Sequence, residues 1–333
     1  MKIVREKIVR KITDKQLSSF EAQIARSVYI SCFGLKKNEK VLVLADLKKQ
    51  KEAELLSRAA TKYAKEVKEV FFTGMSGNAQ EPSRQMIKEM KRAKVALLVT
   101  DFSLSHTRGR KEATEAGTRI ASMPGITLSM MKRTLIADYE EVARVSQAVA
   151  KLLSKAITIS IRSKKGTDLT ADLKNRRATA DTGLLRKLKD FGNLPAGEAF
   201  LAPIEESVNG VLVIDAALAE VKLDKSVKVE IKKGKAIKII GGKGAKEFEK
   251  QMKKAGKGAD QVAEIGIGTN LKASKTSDIL ESEKAYATCH VAFGDNYGFG
   301  GSNKANFHSD GVIDSPTVKL DGKKIVEKEK ILI

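Results

Sequence analysis

Residues 290–314, HVAFGDNYGFGGSNKANFHSDGVID, hold two of the chain's three histidines, and Asp310 follows His308 in an H-x-D step. Neutral imidazole beside a carboxylate is a ligand set for zinc, manganese, cobalt or iron. Two further carboxylates stand out by their surroundings. Glu198 sits in GNLPAGEAFLAP and Glu264 in AEIGIGTN, flanked by Ala, Gly and Ile where most glutamates of this chain have lysine neighbours. A carboxylate in such a setting is costly to bury unless it is paired or coordinates a cation. Glu198, Glu264, His290, His308 and Asp310 are too many ligands for one tetrahedral zinc with an open position. They suit two divalent ions (zinc, cobalt or manganese) about 3.5–4 Å apart with a shared carboxylate. Each residue alone also has a plainer reading: a glycine-flanked glutamate serves in turns, and a single histidine serves as a hydrogen-bonder.

The elements that must carry these residues fall into two patterns. In the first, KVLVLAD (40–46), VKEVFFT (67–73) and KVALLVTD (94–101) alternate with the helically spaced stretches 48–66 and 83–93. Such alternation predicts a parallel sheet with right-handed crossovers. Asp46 and Asp101 would end two of its strands, where ligands gather in open α/β sheets. No glycine-rich nucleotide loop follows any strand. An amphipathic helix is expected over 139–156. From there on, AITISIRSKKGTDLTADLK, NGVLVIDAAL, KVEIKKGKAIKIIGG and TVKLDGKKIV alternate apolar and polar residues between Gly and Asp-Gly turns, the antiparallel signature. One helix (245–255) interrupts them. The expected fold class is therefore an α/β domain over 1–155 followed by a largely antiparallel, metal-bearing β domain over 156–333.

Composition narrows the function classes. Lysine and arginine outnumber aspartate and glutamate 62 to 41, a net charge of +21. That favours polyanions, but the lysines are spread along the chain. Aromatics make up only 5% with no tryptophan, so stacking platforms for single strands are scarce. Nucleic acid is not expected as a partner; a lysine-rich surface suited to heat or salt accounts for the charge. Cys32 and Cys289 form no C-x-x-C pair and read as buried thiols. The charged N-terminus lacks the apolar centre of a signal peptide, and no apolar run approaches the ~18–20 residues of a membrane span. A soluble cytoplasmic protein without membrane partners is expected.

Four motifs in order, NLPAGEAFLAP, AEIGIGTN, HVAFGDNYGFGG and HSDGVID, resemble the thermophilic aminopeptidase family of the aminopeptidase T type. ARSVYISCFGLKKNEKVLVLAD and GTRIASMPGIT are similar to that family's N-terminal domain, so the resemblance covers most of residues 20–325. It implies dimers around an enclosed cavity, peptide substrates, and a two-metal site ligated by Glu198, Glu264, His290, His308 and Asp310. Tyr297 would stand beside the metals and stabilise an oxyanion. Glu264 is a candidate proton shuttle. The expected activity is removal of the N-terminal residue of peptides by metal-activated water. One departure bears on substrate class: only 18 positions separate His290 from His308, fewer than in such peptidases.

A second enzyme class uses fewer ligands. His290, His308 and Asp310 alone are the two-histidine, one-carboxylate set of non-haem iron(II) oxygenases. A ring-cleaving dioxygenase of dihydroxypyridine resembles the same family. The glutamate pair Glu198 and Glu264 favours hydrolysis, because one iron does not need it. A non-catalytic binding protein is the third class, and the full ligand set argues against it.

Overall fold

The computed structural model describes residues 1–333, except for the side chain of Asp14. The chain divides into two compact units. The first is Met1–Glu141 with Gly183–Ala196, and the second is Val142–Thr182 with Gly197–Ile333.

The first unit is an α/β sheet. Strands Lys40–Asp46, Glu66–Thr73, Val95–Val99, Arg119–Ser122 and Phe191–Asn193 run parallel, and Lys2–Ile8 adds an antiparallel edge beside Glu66–Thr73. The central strands read as near-continuous apolar runs because both faces are covered; every residue of Val95–Val99 is buried. Helices begin where the sequence supplies side-chain caps. Ser83, Thr107 and Thr127 each accept a hydrogen bond from a backbone N–H three residues on. Ser18 and Glu21 form a reciprocal capping box. The two strand-end aspartates have local partners: Asp46 accepts from the Lys48 N–H, and Asp101 pairs with Lys48 and Lys49.

The second unit is two antiparallel sheets. An eight-stranded sheet runs in the spatial order Lys235–Ile240, Val227–Lys232, Asn209–Ile214, Asp168–Asp172, Thr158–Arg162, Thr317–Leu320, Lys323–Glu327, Lys330–Ile331. A six-stranded sheet runs in the order Ala217–Leu218, His308–Ile313, Cys289–Gly294, Val262–Gly268, Glu198–Leu201, Thr179–Asp181. Their apolar faces and helix Lys243–Ala255 share one core, in which Phe248 packs edge-on against Phe293. The expected fold class, parallel α/β followed by antiparallel β, is the architecture observed. Among the described residues no helix is long and apolar enough to cross a membrane.

A buried ion pair holds the rim of the parallel sheet. The Arg119 guanidinium is 2.5 Å from Glu39 Oε2 and donates to the Phe33 carbonyl, with only 3% of its side chain exposed. Removing one partner of such a pair leaves a buried charge uncompensated. Arg119→Met is expected to lower the unfolding free energy by about 3–5 kcal/mol, read from urea or thermal denaturation.

Candidate metal centre

Two-residue periodicity builds the site. In an antiparallel sheet, directly opposed residues share a face. Gly266 opposes His290, which opposes Val312; Ala292 opposes both Glu264 and Asp310; Gly294 opposes His308; and Glu198 opposes Gly268. All five candidate ligands therefore project from one face of the six-stranded sheet. Ile265, Ile267, Val291, Phe293 and Ile313 alternate with them and enter the core behind. A bulge between Val262 and Glu264 lets Val262 join the core while Glu264 turns to the other face. The segment between the histidines folds back as a hairpin loop, and Glu205 fastens it. The Glu205 carboxylate accepts from the Ser302 N–H and hydroxyl and from the Asn296 amide, and it pairs with Arg176, which also donates to the Gly300 carbonyl.

The ligand atoms meet in two overlapping groups. Glu198, Glu264 and His290 form one, and Glu264, His308 and Asp310 the other, with the atoms of each within 4.8 Å of one another. Glu264 joins them: Oε1 lies 3.3 Å from His290 Nε2, and Oε2 lies 3.6 Å from His308 Nε2. His308 Nε2 is also 3.6 Å from Asp310 Oδ1, and His290 Nε2 is 3.3 Å from Glu198 Oε2. His308 Nδ1 lies 2.9 Å from the Asp295 carbonyl. An N–H donated there fixes the ring and leaves Nε2 free to ligate.

Small residues clear the space between these side chains. A Cβ on Gly266 would sit 2.1 Å from His290 Nε2. The donor set fits a metal ion. It has two imidazoles with Nε2 directed at carboxylates, and Glu198 Oε2 is buried without a hydrogen-bond partner among the described residues.

Electrostatics point the same way. Burial alone would lower the His290 value, but Glu264, Glu198 and Glu283 outweigh it and raise it to about 9. For His308 burial is likewise overcome, by Asp310 and Glu264, to about 10. Burial raises the Glu264 carboxyl. Asp310 is held below the usual carboxylate range, burial being outweighed by His308. In the metal-free protein, protons on the two rings supply the positive charge that these carboxylates call for.

Tyr297 is placed differently. It lies on a single turn, Tyr297–Phe299, and is 59% exposed, with the Lys304 ammonium 3.8 Å above its ring. It belongs to neither group of candidate ligands. The Cys289 thiol is buried and pushed up to about 12 by that burial, so it is no thiolate ligand.

Three neighbours of the site escape sequence reasoning. Lys284 is 1% exposed, and its ammonium lies 2.5 Å from Glu198 Oε1, 2.7 Å from Glu283 Oε1 and 3.9 Å from Asp181 Oδ2. An adjacent Glu-Lys pair reads as a solvated surface, which hides both residues. Phe299 stands edge-on to both His308 and Phe200, at 6.0 and 5.6 Å between ring centres. Its place in a glycine-rich loop gives no sign of that wall.

Residues 21–333 match the family of 2,5-dihydroxypyridine 5,6-dioxygenases (NicX), and the chain belongs to that family. The 2,5-dihydroxypyridine 5,6-dioxygenase of Pseudomonas putida is 26% identical over 246 residues, 69% of each chain. The solved structure of the dihydroxypyridine dioxygenase from the KT2440 strain of that organism superposes with a TM-score of 0.77 at 21% identity, covering 96% of this chain and 98% of the other. AmpT from Thermus thermophilus superposes with a TM-score of 0.68 at 17% identity, covering 94% and 99%. These two likenesses concern the fold. Family membership overturns the peptidase expectation: the chain is not assigned to the metallo-aminopeptidases, nor to hydrolases or proteases. The motifs that suggested a peptidase are strands of the scaffold that bear the candidate ligands, and they carry the fold without fixing the reaction.

Three outcomes follow, the first for the metal-free protein. Both ring values lie above the ordinary 6.5, so protonation stabilises the fold; that contribution is complete below about pH 6.5 and is lost as pH rises through about 9 and 10. Metal uptake at pH 7 should release protons, measurable by calorimetry in buffers of different ionisation enthalpy, and apparent affinity should climb up to about pH 9–10. Gly266→Ala should leave the fold intact and cut metal content several-fold, because His290 Nε2 cannot stay 2.1 Å from the new Cβ; elemental analysis beside circular dichroism reads it.

Proposed function

We propose that this protein is a ring-cleaving dioxygenase of a dihydroxylated pyridine, with one iron(II) ion held by His290, His308 and Asp310. The observation that carries the reading is that adjacent paired strands set two imidazoles and a carboxylate on one sheet face, with Asp310 3.6 Å from His308 and Glu264 between His308 and His290, in a chain of this family. Two histidines and one carboxylate leave coordination positions open. Bound there, iron(II) supplies the redox chemistry that lets O2 attack an electron-rich ring, which a closed-shell dication cannot.

The chain's own residues do the rest. Asp295 fixes the His308 ring through its carbonyl. Phe299 and Phe200 form an apolar wall at His308, matched to a planar ring. Glu264 stands between the two histidines, and burial raises its carboxyl. It is placed to accept the proton of a ring hydroxyl as that group becomes electron-donating, and to return it to the product. Both oxygen atoms of O2 enter the two carbons of the broken bond. Cleavage between ring positions 5 and 6 leaves a carboxylic acid at the hydroxylated carbon and a formyl group on nitrogen.

The test is anaerobic loading with iron(II), then addition of 2,5-dihydroxypyridine and oxygen. Ring absorbance should vanish with one O2 consumed per ring, and 18O2 should label the product twice. Asp310→Asn should weaken iron binding by at least about 10–100-fold, the range that loss of even an outer partner produces, and turnover should fall with it. An iron-loaded, folded protein that consumes no oxygen with any dihydroxypyridine would defeat the reading.

A further inference from the structure

We propose that Lys284 sets the metal count: its ammonium stands at Glu198 as a tethered cation in place of a second ion, and keeps the centre mononuclear. The inference rests on the reading of the site as a one-iron centre. Without the lysine, the two ligand groups that share Glu264 are the arrangement of a two-metal site. The first group depends on Glu198, and Glu198 is already engaged. Its Oε1 is 2.5 Å from Lys284 Nζ, which leaves only Oε2 facing His290. Lys284 holds Glu283 at 2.7 Å as well, with Asp181 at 3.9 Å, so one ammonium answers three carboxylates.

The backbone fixes this placement. The Lys284 carbonyl accepts from the Asn270 N–H, its own N–H donates to the Glu281 carbonyl, and Tyr286 donates to the Asn270 carbonyl. The segment therefore lies against the end of the Glu264 strand. Gly268 permits the approach, since a Cβ there would sit 2.0 Å from the Ala285 carbonyl. With 1% of its side chain exposed, the ammonium cannot swing out into solvent without breaking all three contacts. A dication at Glu198 would have to displace it or be repelled by it.

The test counts ions and needs no turnover. The full-length protein is stripped of metal and titrated with cobalt(II), with dialysis and elemental analysis of the product. Wild type should take up about one ion per chain. Lys284→Met removes the charge and keeps the length; it should take up about two, with exchange coupling between cobalt ions in electron paramagnetic resonance. If that variant does not fold, Lys284→Met with Glu283→Gln removes one buried negative charge along with the positive one and is counted instead. Two ions of similar affinity in wild type, or one ion in a folded charge-free variant, would overturn the proposal. One cobalt in wild type without ring cleavage by the iron form would instead defeat the dioxygenase reading and leave this one standing. Ring cleavage with two ions bound would do the reverse.

Discussion

Carboxylates withdrawn from water require positive charge in contact with them, and the second unit brings several together on one sheet face. Glu198, Glu264 and Glu283 are nearly or fully buried, with Asp181 and Asp310 at their edge. Lys284 and the two imidazoles, when protonated, bring positive charge to them. Alternation along the strands then puts hydrocarbon behind the site and acid in front of it. The cost of an unanswered carboxylate makes register strict: a one-residue slip of the His290 strand would drive His290 into the core and Val291 into the acids.

Space is the second requirement, and it is met by absence. Gly266 and Gly268 are neighbours on the ligand face of one strand. The first leaves room for the His290 ring, and the second lets the chain that bears Lys284 lie against the sheet. A strand interior normally gains from larger side chains. Two glycines on one face are explained by what they admit: an imidazole at one and a backbone carbonyl at the other.

Much of this was legible in the sequence. The β–α alternation around KVLVLAD and KVALLVTD announced the parallel sheet, and the Asp-Gly and Gly turns after residue 156 announced the antiparallel one. The lysine-free surroundings of Glu198 and Glu264 marked them as buried. The rest was hidden for physical reasons. AEIGIGTN carries its glycines on the ligand face, while Gly311 of HSDGVID opposes Val291 on the core face, and neither stretch shows the plain apolar–polar alternation that marks a strand. Lys284 was hidden by the same rule that found Glu198: a glutamate beside a lysine looks solvated, and here Glu283 and Lys284 are buried as a pair.

The reaction was the least legible part, and the reason is structural. The motifs record backbone positions from which candidate ligands converge on one sheet face. Those positions follow from sheet register, and one register can support more than one chemistry. The glutamate pair looked like a discriminator because both carboxylates were counted as free for metal. In the folded chain Glu198 has given one oxygen to Lys284, a residue outside every motif. A carboxylate bound to an ammonium supplies little charge to a second dication. What Glu198 can offer a metal therefore depends on a contact between residues 86 positions apart in the chain, which a count of carboxylates in the sequence does not register.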